Sequence, residues 1–446
     1  MNKRNVTDYL DTEFKQQAQN ANFTKLAGIF GDKVTANKVM NTVLMKNINH
    51  WQKVEVISSI TALETIYMGG SSNIDGVIIN NTTRYIGSNN FTLLDQKGDF
   101  GARLDNTASA SRYIFAKKSS NFDKVFNKID LNVIPRYNFE GQDIEYQFLT
   151  YNVPMLLING SEGMGSGHAQ KILPRKLEDT VEYIRARLSN KKAKFGPKFS
   201  LPVYYNGFKG KIEKTDIPNQ SKISGTIKRL TTLKLQITEV PIGYSYKDYI
   251  KKLDKLVEQS VIRSYDDLCD PKNDTFNFTI KHSTEFGKLT DEEIIQKLKL
   301  QTTDTENFTF IDEKNRVKVL KSAQEVIEYY IDVRLKYMQY RKDYLIKKFN
   351  YDLDTEDSRY KFIKAIIDGK LIVNNRTKKD ISHDISLMLL VKRDGTYDYL
   401  LNMPIYSLTK EKLDQLTKKI ALLKVDLSKT EKLTPEKMWL NDIKGL

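Results

Sequence analysis

The stretch "TASASRYIF", residues 107–115, ends a run of small residues with an arginine placed directly before a tyrosine. That pair could do nucleophilic chemistry. A phenol with an ordinary pKa of about 10 attacks poorly at neutral pH and needs a base or cationic neighbours. Arg112 stands beside Tyr113. The plain alternative is one strand tyrosine among the 24 in the chain, and residue type alone does not separate the two. Metal chemistry has less to draw on: one cysteine, Cys269, and four scattered histidines, His50, His168, His282 and His383, give no ligand spacing for a zinc site. A metal held by this chain is not expected; one would have to use carboxylates or arrive with a partner.

The net charge of +15 makes a polyanion the first partner to consider, because lysine and arginine gain affinity by displacing counterions from phosphates. A lysine-rich composition from an AT-rich genome is the other source of such a charge. With 446 residues, 40% hydrophobic and 28% charged, the profile is that of a water-soluble globular chain of about two to four domains. The longest apolar runs, such as "VPMLLI" at 153–158, fall far short of the roughly 18 residues a bilayer crossing needs. The basic start "MNKR" is followed by no apolar stretch of signal-peptide type. No membrane partner is expected, and the chain is expected to stay in the compartment where it was made.

Several elements must hold the tyrosine in place. "SSNIDGVIINNTTRYIG" predicts a helix with Ile74, Val77, Ile78 and Tyr85 on one face and Gly87 as its stop. A glycine-punctuated loop, "SNNFTLLDQKGDFGARLDN", leads from it to the β-prone "ASRYIFAKK", and helix, loops and short strands together fit a small winged-helix unit. The Pro, Gly and lysine-rich stretch at 190–210 reads as a connection between lobes, either a solvated linker or a basic rail along nucleic acid. "TTLKLQITEVP" predicts a half-buried strand with Leu233, Leu235 and Ile237 on one face, ended by Pro241, in an α/β lobe. Further on, Val326, Tyr330, Val333, Tyr337, Tyr340 and Tyr344 recur at steps of four and three, the spacing of a coiled-coil seam. Leu413, Leu416, Ile420, Leu423 and Leu427 do the same, so two long helices can pair antiparallel with a globule at their far end.

Read together, "GSNNFTLLDQKGDFGARLDNTASASRYIF" resembles the active-tyrosine segment of type IIA DNA topoisomerases. There a Gly-Ser-Asn-Asn loop and a Phe-Gly-x-Arg turn precede an Arg-Tyr pair. "VPMLLINGSEGMGSGHAQKILP" (153–174), the "ITEVP" strand and "YDYLLNMPIYSLTKEKLDQL" (397–416) are similar to further segments of that family, so the likeness runs from about residue 65 to the C-terminus. It implies an α+β multidomain chain. Residues 1–145 would form a winged-helix DNA-cleavage domain, 146–320 an α/β tower-like domain, and 321–446 a long antiparallel coiled coil ending in a dimerisation globule. Tyr113 would be the nucleophile, exchanging one phosphodiester for a 5'-phosphotyrosyl linkage, with Arg112 bracing the phosphate. Ala108, Ser109, Ala110 and Ser111 would let the backbone approach double-stranded DNA closely, or else form only a tight turn. Met164 would wedge between base pairs, or else be a loop methionine that is merely buried, and Arg103 and Lys171 would contact phosphates, with surface ion pairs as the alternative.

The same resemblance implies a partner. No phosphate-binding glycine loop for ATP and no acidic set for magnesium is evident, so ATP and Mg2+ are expected on an ATPase/Toprim partner chain, in an assembly of two of each chain. Relaxation or decatenation is expected rather than negative supercoiling, because little sequence follows the coiled coil. The first sixty residues depart from the family pattern. Lys33 matches a family lysine, but Asn37 stands where an arginine is expected and Met68 to Gly70 replace histidines, leaving Lys25 or Lys38 to supply charge. That departure motivates the alternative of a cleavage-attenuated, DNA-binding structural relative. A tyrosine recombinase fits worse, since its nucleophile lies near the C-terminus.

Overall fold

The computed structural model describes residues 5–190 and 200–446. They divide into two compact units, residues 1–334 with 440–446, and residues 335–439. The lysine-rich stretch 191–199, read as linker or basic rail, lies outside the described residues; the segment after it is no solvated linker, because Leu201 and Tyr205 are buried. Among the described residues, no helix is long and apolar enough to cross a membrane.

Short helical turns over Val6–Phe14 lead into α1 (Lys15–Lys25). Helix α2 (Val34–Met45) buries Ala36, Val39, Met40, Val43 and Leu44, the spacing of one helical face. Two asparagines on α2 are buried with them. Asn37 Nδ2 donates to the Tyr146 carbonyl at 2.9 Å, and the Tyr146 amide donates to Asn41 Oδ1 at 2.9 Å, so the position of the missing arginine is occupied by a backbone clip. Strand β1 (Gln52–Lys53) runs directly into α3 (Val54–Glu64), and α4 (Ser71–Thr82) buries Ile74 and Ile78 as its periodicity predicts. The helix stops at Thr82, because Thr83 is extended; Tyr85 and Gly87 lie beyond it. Strands β2 (Leu94–Lys97) and β3 (Phe115–Lys118) complete an antiparallel sheet in the order β1-β3-β2, registered Gln52 to Ala116 and Leu94 to Lys118. Three helices on a three-stranded sheet make the expected winged-helix arrangement. β2 sits inside a stretch read as loop, where four residues beside a glycine are too short to show alternation.

A hairpin follows, β4 (Ser161–Met164) paired with β5 (Ala169–Ile172). The α/β lobe has a four-stranded antiparallel sheet of β6 (Thr226–Thr231), β7 (Lys234–Glu239), β8 (Ser264–Asp267) and β9 (Phe278–Lys281), in the order β6-β7-β9-β8. Leu235 and Ile237 of β7 and Phe278 and Ile280 of β9 form its inner face. Tyr249, Leu253 and Leu256 of α5 (Tyr246–Glu258) and Ile294 of α6 (Asp291–Lys297) cover it. Leu233 precedes β7 and is exposed, so the inner face starts one step later than the sequence pattern suggested. α5 is capped by Ser245, and α6 opens on a Thr290/Glu293 capping box.

The 45-residue helix α7 (Ala323–Ile367) crosses the boundary between the units. In the second unit it pairs with α8 (Lys410–Lys432). Lys342 Nζ donates to the Glu431 carbonyl at 2.9 Å and Lys419 Nζ meets Glu356 Oε1 at 2.7 Å; one number falls as the other rises, so the helices run antiparallel. Phe362, Ile363, Leu371, Ile385, Leu400 and Leu416 form this unit's core. The seam on α7 departs from expectation at Tyr340, which is exposed, while Arg334 and Arg341 are buried. Arg334 reaches Asp130 Oδ2 at 2.8 Å and Asn152 Oδ1 at 2.6 Å, so the stripe accepts a cation where a carboxylate is waiting.

Asp32 accepts a 2.7 Å hydrogen bond from the Tyr151 hydroxyl, and burial pushes its carboxyl up from 3.8 to about 6. A carboxyl raised in the fold makes folding less favourable as pH climbs from about 4 to 6, and the full penalty persists above that. Asp32→Asn keeps an acceptor for Tyr151 and carries no charge. Thermal unfolding should therefore show the variant more stable than wild type by about 1–3 kcal/mol at pH 7.5, with the advantage shrinking toward pH 5.

Candidate active site

Tyr113 lies in a turn rather than in a strand. Its amide donates to the Ala110 carbonyl at 2.9 Å, and the chain then enters β3, the central strand of the small sheet. Ile114 and Ala116 point into the core, while Tyr113 points out and is 66% exposed. The first amides of a helix have no partner within it. Here those of α3 are used on the tyrosine turn: Val54 N–H donates to the Ile114 carbonyl at 3.0 Å and Glu55 N–H to the Ser111 carbonyl at 3.4 Å. The turn is thus tied to the positive end of an 11-residue helix. The Arg112 guanidinium lies over the Tyr113 ring, 5.1 Å from its centroid. Arg112 and Tyr113 are exposed and Ser111 is half-buried.

Residues 98–114, between β2 and β3, carry no regular structure. They are closed at the base by the Ser109 amide, which donates to the Asp99 carbonyl at 3.0 Å. Farther out, the segment is anchored to the α/β lobe. Leu104 belongs to that lobe's core. Arg103, expected at a phosphate, is buried, with Nη2 2.9 Å from Glu239 Oε1 and 2.6 Å from the Val240 carbonyl. Its guanidinium sits over the rings of Phe208 and Phe276. Burial lowers its pKa and the nearby Glu239 and Asp274 carboxylates oppose that shift, so Arg103 serves as an anchor turned away from solvent. Glu239 was missed in the sequence although a signal existed: an acid at the third inward position of an alternating strand requires a buried cation.

Met164 ends β4 at the tip of its hairpin, where the Gly165 amide donates to the His168 carbonyl at 2.9 Å. Its exposure, 81%, follows from its neighbours. A Cβ on Gly163 would lie 2.2 Å from the Lys25 carbonyl, and one on Gly165 would lie 1.9 Å from Asn22 Oδ1. The end of α1 therefore presses on the bare glycine edge, and alternation turns Met164 the other way. Lys171, on β5, is paired with Asp304, whose hydrogen bond raises its pKa. The ion pair of the alternative is formed, and 35% of the lysine side chain stays exposed beside it.

The altered N-terminal segment distributes its charge unevenly. Lys33 Nζ donates to the Glu162 carbonyl of β4 at 2.6 Å, and burial lowers its pKa, with Lys25 close enough to add to that shift. Lys38 is taken up by Glu145 and by the Thr65 carbonyl. Lys25 and Lys33 thus put positive charge beside the Met164 hairpin, and Lys38 does not. Met68 is exposed in the turn between α3 and α4. Among the described residues no group of three His, Cys, Asp or Glu could hold a metal ion.

A family model for the A subunit of DNA gyrase/topoisomerase IV matches residues 37–444. The mitochondrial DNA topoisomerase 2 of Dictyostelium discoideum is 28% identical over 453 residues, covering 98% of this chain and 35% of that protein. The DNA topoisomerase medium subunit of Enterobacteria phage T4 is 30% identical over 334 residues, covering 74% of this chain and 72% of that one. A crystal structure of the Plasmodium falciparum topoisomerase II DNA-binding, cleavage and re-ligation domain superposes with a TM-score of 0.86 at 29% identity, over 98% of this chain and 63% of that one. The chain spans about a third of the length of the Dictyostelium relative.

The hairpin geometry separates two substitutions. Gly163→Ala forces a methyl against the Lys25 carbonyl and should cost about 1–3 kcal/mol in urea unfolding. Met164→Ala should change stability by no more than about 0.5 kcal/mol, because the side chain is in solvent.

Proposed function

The chain belongs to the family of the DNA gyrase and topoisomerase IV A subunits, and from that membership we propose that it is the DNA-cleaving chain of an ATP-dependent type II topoisomerase. The observation that carries this reading is Tyr113, exposed on a turn fixed by two helix amides and paired with Arg112. The phenol oxygen attacks a backbone phosphorus of double-stranded DNA. A bond forms between the tyrosine oxygen and phosphorus, the bond from phosphorus to the 3'-oxygen breaks, and the phenol proton is lost as the 3'-hydroxyl gains one. Arg112 donates to the phosphate oxygens as charge develops on them. One phosphodiester replaces another, so the reverse attack by the 3'-hydroxyl reseals the strand without an external energy source. Two copies cut both strands, another duplex passes, and the DNA is relaxed or decatenated.

Around this step Met164 enters the base stack and bends the duplex, at a stacking cost offset by the wider contact that bent DNA allows. Ser111 lies against the DNA backbone, and Lys25 and Lys33 hold phosphates beside the hairpin. Residues 1–145 carry the cleavage chemistry, 146–320 the tower, and 321–446 the coiled coil and dimer contact. Leu389 and Ile405, 89% and 87% exposed in the second unit with Leu387 and Tyr406, support that contact between two copies. Mg2+, which stabilises phosphate charge when bound, and ATP come with a partner ATPase/Toprim chain. The assembly works in the cytoplasm, where its DNA is.

Mixing the chain with such a partner, Mg2+ and supercoiled DNA, then quenching with detergent, should trap protein covalently joined to cut DNA. Tyr113→Phe should abolish the adduct while leaving thermal unfolding unchanged. A Tyr113→Phe protein that still forms the adduct at the wild-type level would refute the assignment.

A further inference from the structure

The tyrosine segment is gripped from outside its own domain at one point with unusual geometry. Asp274, remote in sequence, accepts two successive backbone amides of the segment: Arg103 N–H to Oδ2 at 2.8 Å and Leu104 N–H to Oδ1 at 2.9 Å. Both oxygens of one carboxylate are used, and hydrogen bonds to an ionised acceptor are the stronger kind. Asp274 adopts a left-handed backbone with φ of 51°, a conformation that non-glycine residues seldom occupy. The turn that presents it, between β8 and β9, is itself held: Asp270 and Thr275 exchange both backbone hydrogen bonds, at 3.0 and 3.1 Å, and Asp270 Oδ1 accepts the amides of Lys272 and Asn273. The side chains of Arg103 and Leu104 have their own holds in the Glu239 ion pair and the lobe core. The two amide bonds to Asp274 fix something different, the path of the backbone that leads to Tyr113.

We propose that Asp274 is a positioning residue for DNA cleavage, registering the loop that carries Arg112 and Tyr113 against the tower lobe through the Arg103 and Leu104 amides. The inference rests on the assignment of Tyr113 as nucleophile. The segment 98–114 has no ladder or helix of its own, so its end point is set by such ties. A misplacement of about an ångström at a reacting group can cost on the order of a hundredfold in rate. The Asp274 carboxylate bonds to the backbone of the loop nine residues before Arg112, so its effect on the reacting groups passes through the loop.

The test is the single-turnover rate constant of adduct formation at saturating DNA, measured with the partner chain and Mg2+ for wild type, Asp274→Asn and Asp274→Gly. Glycine suits the left-handed backbone and removes both acceptors, so it should fold while slowing cleavage by roughly 10- to 100-fold, with DNA affinity and the final adduct yield unchanged. Asparagine keeps one acceptor and should fall between glycine and wild type. A merely structural role would lower yield and melting temperature and leave the rate constant of the folded fraction as in wild type; that result, or wild-type rates in both variants, overturns the inference. Should the glycine variant not fold, the asparagine variant decides by the same rate constant. Failure of the wild-type protein to form any adduct would instead count against the Tyr113 assignment.

Discussion

The buried ion pair between Arg103 and Glu239 is the constraint on which the candidate site depends. It joins the tyrosine segment to the sheet of the α/β lobe in a place where neither charge has water to fall back on. Burying two charges is costly, and a well-paired set of this kind adds little net stability over an apolar replacement. Removing one partner is another matter, since it leaves a lone charge in the interior. The arrangement therefore specifies position more than it stabilises the fold. The guanidinium between Phe208 and Phe276, and Leu104 in the lobe core, make residues 103 and 104 a fixed post from which the chain runs to Tyr113.

A second post stands at the other end of the segment. The amides of Val54 and Glu55 are obliged to find acceptors because they open a helix, and they find them on Ile114 and Ser111. Tyr113 is held between the two posts with its ring in solvent. The same economy appears at the β4–β5 hairpin, where Gly163 and Gly165 exist to admit the end of α1 and Met164 is exposed as a geometric result. In both places the outward residue is defined by what its neighbours must touch, which leaves its side chain exposed on a rigid support.

Much of this was legible in the sequence. Ile74 and Ile78 at helical spacing marked α4, the alternation through Leu235 and Ile237 marked β7, and the heptad steps marked both long helices. Tyr113 stood out as a candidate because its context is contiguous. What was not legible depends on pairs far apart in the chain. Arg103 reads as a solvent-facing cation until Glu239 is placed beside it, and Lys171 as an unpaired one until Asp304 is. Asn37 reads as a lost arginine until Tyr146 turns out to need its amide. Local spacing carries helix faces and strand alternation; it does not carry which buried charge meets which.

The central claim is that Tyr113 takes the 5' end of the broken strand. The most direct measurement is to trap the complex during cleavage, digest the protein, and identify by mass spectrometry the peptide that retains a nucleotide, while testing whether a polymerase extends the other DNA end. The account predicts a nucleotide phosphate on Tyr113 and a free, extendable 3'-hydroxyl. A nucleotide on any other residue, or a 3' end blocked by protein, would contradict it.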